Sequence, residues 1–361
     1  MCTRRAILDV LQSHTKLVSE FLPANVHERE GTISPVEFLS RFVAQSLPLV
    51  IRGDADVASW PALAGALWRD QAYLNEALRD ARVTVALTPD GLADAPASDS
   101  GAFMLPAEST MPYPDFIEML RKQDPVVYLQ KQNNSFVEEF AALAADIGRI
   151  PWADTAFGAA NIDAINFWQG AWPTKTSWHR DPYENIYVVV RGTLRLPHVT
   201  TSPRSESLRA ALTRVRPGPT PPGTKRVRLL PMTDAYRMRI GLYSQSKWEY
   251  ENGAFTSRQI EGEPVPWSSL APCTCEAGSR CPSCLHLADH PPKEVLLKAG
   301  DVLYIPAWVY HEVSHDRPDD DRPDDDASCI AINMWYEAQY GQHGFATIQT
   351  FDRLSHLVNT S

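Results

Sequence analysis

The second half of the chain is a series of short apolar segments separated by turn residues. From about residue 160 these segments are DAINFWQG, NIYVVVRG, KRVRLLP, EVLLKAGDVLYIPA and CIAINMWY, with Gly, Pro and Asp between them. Many short strands at even spacing, with few helices between them, are typical of an antiparallel barrel or a jelly roll. The sequence therefore predicts a mainly β fold with helices on its outside.

The first third of the chain mixes helices with strands. Ser34 stands before Pro35 at the first helical position and Glu37 at the third, which is a helix-capping signature. Further helices are expected over about residues 64 to 80 and 114 to 122, with short strands between them. This part is predicted to cover the outside of the β core.

We divide the chain into three parts. Residues 1–125 are predicted to be an N-terminal helical and strand extension that packs on the core, residues 126–345 the β core, and residues 346–361 a C-terminal helical segment. Three segments of unusual composition are predicted to be insertions in the core, at about 193–223 (rich in Pro and Arg), 268–292 (rich in Cys and Pro) and 316–326 (DRPDDDRPDDD).

Two of these insertions are expected at hairpin connections. The acidic block at 316–326 is expected to be a solvated loop, because like charges repel and keep the chain extended. The alternative is a docking surface for a basic substrate tail. The composition alone leaves both possibilities open.

Composition limits the possible partners. The 361 residues are 44% hydrophobic and 22% charged, with a formal net charge of -10 and a pI of about 5.5. A phosphate-binding surface needs an excess of Lys and Arg on one face, so nucleic acid is not expected as the main partner. Asp9 and Glu20 interrupt the apolar positions at the start of the chain, and no segment approaches the roughly 20 apolar residues of a membrane span. We expect a cytosolic or nuclear protein with no membrane partner.

A histidine and an aspartate stand two residues apart in TSWHRDPYENIYVVV. On a strand, residues i and i+2 point to the same face, so His179 and Asp181 would enter the barrel side by side. One imidazole nitrogen and one carboxylate oxygen are two of the three donors of a facial triad for iron(II). Because such pairs also occur by chance, the motif needs a structural context.

The context comes from the segment KAGDVLYIPAWVYHEVSH. A turn at Gly300 and Asp301 precedes a strand, Pro306 ends that strand, and His311 stands at the start of the next one. We therefore take His311 as the third ligand, while His315, beside the acidic block, is expected to face solvent. The alternative is that His179 and His311 are hydrogen-bonded core residues.

These motifs resemble the jumonji-C (JmjC) group of iron(II)- and 2-oxoglutarate-dependent dioxygenases, and within it the small single-domain lysyl hydroxylases. The resemblance covers most of residues 30 to 350 and includes VALTPDGLADA, FMLPAE, VVYLQKQ, INFWQG, TSWHRDPYENIYVVV, AGDVLYIPAWVYHEV and AINMWY. It implies a double-stranded β-helix (jelly roll, cupin-like) core. It also implies that His179, Asp181 and His311 hold iron(II) as the catalytic metal.

The same resemblance implies a binding site for 2-oxoglutarate. In such enzymes the positions of Tyr128, Thr176 and Asn185 hydrogen-bond this cosubstrate, that of Asn333 lies near its carboxylate end, and that of Trp335 lines the pocket. For Tyr128 and Trp335 taken alone, a role as core aromatic residues is the alternative.

The resemblance also implies a lysine that pairs with the distal carboxylate of 2-oxoglutarate, fifteen residues after the first iron histidine. Leu194 occupies that position. Arg195 does not simply replace it, because a slip of one residue turns a strand side chain to the other face. If residues 193–223 are looped out, the chain reads NIYVVVRGTKRVRLLP and Lys225 takes the required place. We therefore predict Lys225 as the cosubstrate lysine. The block is then either a real insertion or an unspliced intron carried into the translated sequence.

The resemblance further implies hydroxylation of a lysine side chain in a GTP-binding translation factor, with release of succinate and carbon dioxide. A histone demethylase and a histone-tail endopeptidase are enzymatic alternatives. A third possibility is a non-catalytic metal-binding protein whose insertion spoils the cosubstrate pocket. The C-terminal helix resembles a dimerisation element of the family, so a homodimer is expected.

Four cysteines are crowded into CTCEAGSRCPSCLH. Cys273, Cys275, Cys281 and Cys284, or three of them with His286, have the donor chemistry of a structural zinc site. The C-x-C spacing departs from paired C-x-x-C knuckles, and the segment lies outside the family pattern. Surface cysteines in a loop are the alternative.

Overall fold

The structure of the protein is a computed structural model that describes residues 2–97, 101–192, 225–272, 281–315, 328–338 and 342–359. The predicted insertions at 193–223 and 316–326 lie outside the described residues, and the one at 268–292 lies partly outside them.

Helices are concentrated in the first half of the chain and at its C-terminal end. The α-helices are α1 (Cys2–Phe21), α2 (Pro35–Phe38), α3 (Ala55–Ala58), α4 (Pro61–Ala64), α5 (Gln71–Ala77), α6 (Tyr113–Lys122), α7 (Ser135–Glu139), α8 (Pro151–Phe157), α9 (Pro282–His286) and α10 (Gln342–Asn359). A π-helical turn over Leu39–Val43 continues α2, and 3₁₀ turns cover Leu67–Arg69, Ala141–Asp146, Ala159–Asn161 and Met232–Met238.

The described residues form twenty strands. They are β1 (His27–Glu30), β2 (Leu49–Arg52), β3 (Arg82–Thr88), β4 (Leu92–Ala93), β5 (Ala95–Pro96), β6 (Phe103–Leu105), β7 (Ala107–Pro112), β8 (Val126–Tyr128), β9 (Ile162–Gly170), β10 (Lys175–His179), β11 (Tyr183–Arg191), β12 (Lys225–Leu230), β13 (Ile240–Tyr243), β14 (Gln245–Glu251), β15 (Ala254–Gln259), β16 (Val265–Ser268), β17 (Lys293–Leu297), β18 (Val302–Ile305), β19 (Tyr310–His315) and β20 (Cys329–Glu337).

Two sheets face each other across the core. One has six strands in the order β1-β2-β18-β11-β20-β9, and the other has five in the order β17-β12-β19-β10-β4. Apart from the outer pairs β1–β2 and β4–β10, which are parallel, these strands pair antiparallel. Apolar side chains from both sheets pack into one buried cluster between them. The predicted mainly β, cupin-like fold with flanking helices is therefore confirmed.

Strand alternation decides which side chains face the space between the sheets. Tyr187 and Val189 of β11 belong to the cluster between the sheets, whereas the intervening Val188 packs against the helices outside the six-stranded sheet. On β12, Val227 and Leu229 likewise face inward. A period of two residues thus places every second side chain of these strands in the interior.

Both outer faces of the sandwich are covered. The N-terminal helices pack their apolar residues, including Phe38 and Trp68, on the six-stranded sheet. A smaller cluster that includes Trp178, Leu230 and Leu287 covers the five-stranded sheet. None of the helices in the described ranges is both long and apolar enough to cross a lipid bilayer.

The structure corrects two expectations about local organisation. The strands on either side of residues 193–223 are not a hairpin, because β11 lies in the six-stranded sheet and β12 in the five-stranded one, and the same holds for β19 and β20. In a jelly roll these connections cross from one sheet to the other. The single helix predicted over 64–80 is also wrong: Ala66 has a positive φ of 51° and Asp70 caps a new helix, α5.

Candidate active site

Three potential metal ligands meet at one end of β10 and β19. His179 is the last residue of β10, Asp181 lies in the turn that follows, and His311 on β19 is the cross-strand partner of His179. Nε2 of His179 lies 3.7 Å from Oδ2 of Asp181, and Nε2 of His311 lies 3.6 Å from the same oxygen. The possible ligand atoms of the three residues all fall within 4.8 Å of one another.

Backbone carbonyls fix the orientation of both imidazoles. Nδ1 of His179 lies 2.7 Å from the carbonyl oxygen of Ser177, and Nδ1 of His311 lies 3.0 Å from that of Val309. Because a carbonyl only accepts, each Nδ1 carries the proton and each Nε2 presents its lone pair toward Asp181. This is the usual arrangement of metal-binding histidines, in which the second nitrogen donates to a fixed acceptor.

The electrostatics of the site also suit a divalent metal. Burial lowers the pKa of His311 to about 4, with a further contribution from the neighbouring His179, so its imidazole is neutral at physiological pH. Two imidazoles and one carboxylate form the donor set of a non-haem iron(II) facial triad. The residues present therefore fit the metal that the family resemblance implies.

A cavity opens beside these ligands, with an empty volume of about 390 Å³ that includes its opening to solvent. Its lining is Tyr128, Gln132, Trp168, Thr176, His179, Asp181, Asn185, Tyr187, Ile305, His311, Val313 and Trp335. Of the metal and 2-oxoglutarate residues predicted from the sequence, all except Lys225 and Asn333 are in this lining. Sequence reasoning missed Gln132, Trp168 and Tyr187, although Tyr187 stands two residues after Asn185 on the same strand face.

Lys225 and Asn333 lie just behind the cavity wall. The ammonium group of Lys225 donates a hydrogen bond of 3.1 Å to the hydroxyl oxygen of Tyr128. Asn333 accepts a bond of 2.7 Å from the indole of Trp168 and donates one of 3.3 Å to Asn185. Both residues therefore contact side chains that line the cavity.

Lys225 is a buried cation without a buried anion beside it. Its side chain is 0% exposed, and no Asp or Glu of the described residues pairs with it. Burial opposes its charge, and the groups that counter this are the phenols of Tyr128 and Tyr187 and the thiol of Cys329 rather than a carboxylate. An uncompensated charge in a protein interior is costly, so a carboxylate ligand would complete this site.

Trp335 contributes an indole face and an N–H group. Its ring stacks on Tyr183 with centroids 4.9 Å apart, and its buried Nε1 has no partner among the described residues. On the other side of the metal ligands, Trp267 lies parallel to the ring of His179 with centroids 6.1 Å apart. Aromatic rings thus lie against both Trp335 in the cavity lining and the potential metal ligand His179.

His315 does not face solvent, which corrects the sequence-based expectation. It is only 6% exposed, and its ring packs edge-on against Tyr128 with centroids 5.8 Å apart. Since His311 faces the interior, the period of two residues on β19 also turns His315 inward. The adjacent acidic block hides this signal in the sequence.

Several predicted residues cannot be placed. Leu194, Arg195, Cys273 and Cys275 lie outside the described residues, so the four-cysteine zinc site stays a prediction. His286 is committed elsewhere: its Nε2 bonds the carbonyl of Arg237 at 2.9 Å, and its Nδ1 bonds Arg239 at 3.0 Å. A zinc site that uses His286 through Nδ1 would have to displace Arg239, while the contact of Nε2 with the carbonyl could remain.

Comparison with known proteins gives consistent results. The cupin-like domain family matches residues 35–197 and 222–342, and the interruption lies inside the predicted insertion at 193–223. Lysine-specific demethylase JMJ32 of Arabidopsis thaliana is 35% identical over 318 residues, which are 85% of this chain and 80% of the relative.

Two further relatives cover similar lengths. The human bifunctional peptidase and (3S)-lysyl hydroxylase JMJD7 is 31% identical over 85% of this chain and 82% of its own length. JmjC domain-containing protein E of Dictyostelium discoideum is 30% identical over 92% of this chain and 90% of its own length. The similarity therefore extends over nearly whole chains.

Proposed function

The chain belongs to the cupin-like JmjC family of 2-oxoglutarate-dependent hydroxylases and demethylases, and on that basis we propose that it hydroxylates a lysine side chain of a protein substrate. The expected substrate is a GTP-binding translation factor. In this reaction one oxygen atom of O₂ enters a C–H bond, and the other enters succinate as 2-oxoglutarate loses carbon dioxide.

His179, Asp181 and His311 would hold iron(II), which supplies the oxidising chemistry when it is bound together with 2-oxoglutarate and oxygen. The Nδ1 contacts to backbone carbonyls keep both imidazoles aimed at the site. The aromatic wall limits water around the reacting centre, which favours transfer of oxygen to the substrate over side reactions.

The observation that carries the proposal is the pairing of this triad with an uncompensated cation. Lys225 on β12 pairs with His315 on β19. His315 is four residues from His311, or roughly 13 Å along the strand. The flexible lysine side chain shortens that distance, so a five-carbon diacid can reach both groups. Thr176 and Asn185 line the space between and offer hydrogen-bonding groups to such a ligand.

The lysine specificity is supported by the relatives rather than by the cavity. Two of the three have names that state action on lysine, one as a demethylase and one as a hydroxylase. These reactions change the mass of the substrate differently: hydroxylation adds about 16 Da, demethylation removes a methyl group, and peptidase activity shortens the substrate chain.

The first experiment measures succinate formed from 2-oxoglutarate by the iron(II)-loaded full chain, with and without lysine-containing peptides from GTP-binding translation factors. We expect peptide-stimulated succinate and a peptide heavier by one oxygen atom. Loss of a methyl group from a methylated histone peptide, with no hydroxylated product, would instead establish the demethylase.

A deletion tests whether Lys225 is the lysine that binds 2-oxoglutarate. Removing residues 193–223 joins Gly192 to Thr224, so that the chain reads GTKRV and the lysine stands fifteen residues after His179. We expect this variant to turn over 2-oxoglutarate, and the same deletion with Lys225→Ala to lose that activity. If the metal binds but neither form binds 2-oxoglutarate, the chain is a non-catalytic metal-binding protein.

A further inference from the structure

His315 lies beside Lys225 inside the barrel. The two residues are direct cross-strand partners on β12 and β19, so their side chains leave the sheet on the same face. Both residues are buried, and both contact Tyr128. The His315 ring packs edge-on against the Tyr128 ring, and the Lys225 ammonium group donates a hydrogen bond to the Tyr128 hydroxyl. We call Tyr128, Tyr187, Lys225 and His315 the lysine cluster.

The tautomer of His315 follows from its neighbours. Its Nδ1 lies 2.8 Å from the hydroxyl of Thr174 and 3.1 Å from the carbonyl oxygen of Thr174. That hydroxyl uses its own proton in a 2.7 Å bond to the carbonyl of Ala171, so toward His315 it accepts. Both neighbours of Nδ1 are therefore acceptors, and Nδ1 carries the proton.

The other nitrogen of His315 is then a bare lone pair. Nε2 is buried and has no hydrogen-bond partner among the residues that the structure describes. Burial, followed by the charge of Lys225, holds the pKa of His315 well below its usual range, which agrees with a neutral ring. A buried acceptor without a donor is destabilising, so its persistence here calls for a donor in the functional state.

The backbone is shaped to permit this arrangement. A Cβ atom at Gly170 would lie 2.6 Å from the Tyr128 ring and 2.7 Å from the Thr174 hydroxyl. Only glycine at this position lets Tyr128 and Thr174 approach each other closely enough to flank His315. The lone pair thus belongs to a tightly built site.

We propose that His315 is a positioning residue for Lys225: its Nε2 accepts a hydrogen bond from the Lys225 ammonium group when 2-oxoglutarate is bound. An ammonium group has three donors. In the complex Tyr128 takes one, the distal carboxylate takes the second, and His315 takes the third. This inference rests on the proposed function, since it assumes that 2-oxoglutarate is the ligand.

The test is the dissociation constant of 2-oxoglutarate from the manganese(II)-loaded full chain, measured calorimetrically without turnover. His315→Asn keeps a polar atom near Nδ1 and removes the acceptor, and it should weaken binding about tenfold to hundredfold. His315→Gln reaches the Nε2 position with its amide oxygen and should bind within about threefold of the wild type. Unchanged binding by His315→Asn would overturn the proposal.

A double-mutant cycle separates positioning from a general structural role. In a Lys225→Met background, His315→Asn should change the dissociation constant by less than about twofold, because there is no ammonium left to hold. An undiminished loss in that background would show that His315 acts by another route. If the wild-type chain binds manganese(II) but not 2-oxoglutarate, the proposed function itself fails.

A measurement on the wild-type chain covers the case in which these variants do not fold. The ¹⁵N resonances of the His315 ring in the zinc(II)-loaded protein should show a protonated Nδ1 and an unprotonated Nε2. Adding 2-oxoglutarate should move the Nε2 resonance in the direction expected for a newly accepted hydrogen bond. A protonated Nε2, or no shift on saturation, would contradict the proposal.

Discussion

The two faces of β12 carry buried cations in opposite situations. Lys225 faces the interior, is 0% exposed, and donates a hydrogen bond to the phenol oxygen of Tyr128 rather than to a carboxylate. Arg228, three residues on, faces outward, is 8% exposed, and forms a 2.7 Å ion pair with Glu312 on β19. The ring of Trp178 lies 5.9 Å from the guanidinium.

On the proposed function, the difference separates a structural charge from one that is kept for a ligand. The cost of burying Arg228 is offset within the fold by Glu312, so that pair is complete before anything binds. Lys225 has no such partner among the described residues, so the fold does not offset its desolvation cost with an opposite charge. On the proposed function, the same strand contributes to stability on one face and to binding on the other.

The largest effect should come from breaking the outer pair. Arg228→Met leaves Glu312, itself 3% exposed, without its guanidinium partner. Such a change is expected to lower the free energy of unfolding by about 3–5 kcal/mol. Urea denaturation followed by circular dichroism measures it, and the affinity for 2-oxoglutarate of the folded variant should stay within about twofold of wild type.

The matched control removes both members of the pair. Arg228→Met combined with Glu312→Leu should recover most of the lost stability, because no buried carboxylate remains unpaired. If the double variant is as unstable as Arg228→Met, packing against Trp178 rather than the ion pair is what Arg228 provides.

Replacing Lys225 should have the opposite effects, with a loss of 2-oxoglutarate affinity and little change in stability. Lys225→Met is expected to weaken 2-oxoglutarate binding about hundredfold, since a charge-assisted contact to the distal carboxylate is lost. The free energy of unfolding should be unchanged or higher by about 1 kcal/mol, because a buried uncompensated charge is replaced by an apolar chain of similar length. Calorimetric titration and urea denaturation give the two numbers.

Arg226→Met is the control for this change, since it removes one positive charge from the adjacent position on the same strand. Arg226 forms an ion pair with Glu294 at the surface side of β12. It should affect neither quantity by more than about 1 kcal/mol or twofold. A clear loss of stability in Lys225→Met would mean that Lys225 belongs with the structural charges.

Asp94 extends the comparison to an acidic group near the metal ligands. Burial raises its pKa to about 6, against lowering contributions from His179 and from a hydrogen bond with Gln130. No lysine or arginine of the described residues pairs with it. Like Lys225, it is a charged group that the fold does not neutralise with an opposite permanent charge.

The pH dependence of stability follows from the direction of this shift. The pKa of Asp94 is higher in the folded state than in the unfolded state, where it is near 3.8. The folded state therefore keeps the proton to a higher pH. Stability is therefore lost as pH rises from about 4 to about 6 and stays lower above that range. Asp94→Asn, which cannot ionise, should be more stable than wild type at pH 7 by about 1–3 kcal/mol and nearly equal at pH 4. Urea denaturation of the metal-free chain at the two pH values measures this, and an equal difference at both would contradict it.

The sequence predicts the potential metal ligands of the cavity more directly than it predicts the position of Lys225. His179 and Asp181 are close in the chain, and His311 follows a strand ended by Pro306, so local patterns indicate that the three can meet. The structure brings them together at one end of β10 and β19. The position of Lys225 required a register argument across residues 193–223, because the cross-strand pairing that places it is a long-range property.

His315 shows why the remaining residues were missed. Its inward orientation is set by the pairing of β19 with β12, and its burial depends on Thr174 and Tyr128 from two other parts of the chain. Local charge pointed the other way, because the acidic block begins at the next residue. Fold class could be read from strand spacing, but which strands share a sheet could not, as the wrong hairpin at β11 and β12 shows.

The smallest effect is expected where a charge is held by both an ion pair and aromatic rings. Arg180, between the metal ligands His179 and Asp181, pairs with Asp352 of α10 at 2.6 Å, and the rings of Trp308 and Tyr310 lie 4.9 and 5.0 Å from its guanidinium. The pair is partly exposed, at 18% and 30%, so solvent screens it.

Asp352→Asn should therefore lower the free energy of unfolding by no more than about 1 kcal/mol, since the two rings and an amide oxygen still hold Arg180. Manganese(II) affinity, measured by calorimetry, should stay within about twofold. A tenfold loss of metal affinity would show that α10 controls the geometry of the metal site, and Arg180 would then stand with Lys225 on the functional side of the comparison. Arg180→Lys, which keeps the charge but loses the planar stacking between the rings, would decide whether the rings or the carboxylate transmit that effect.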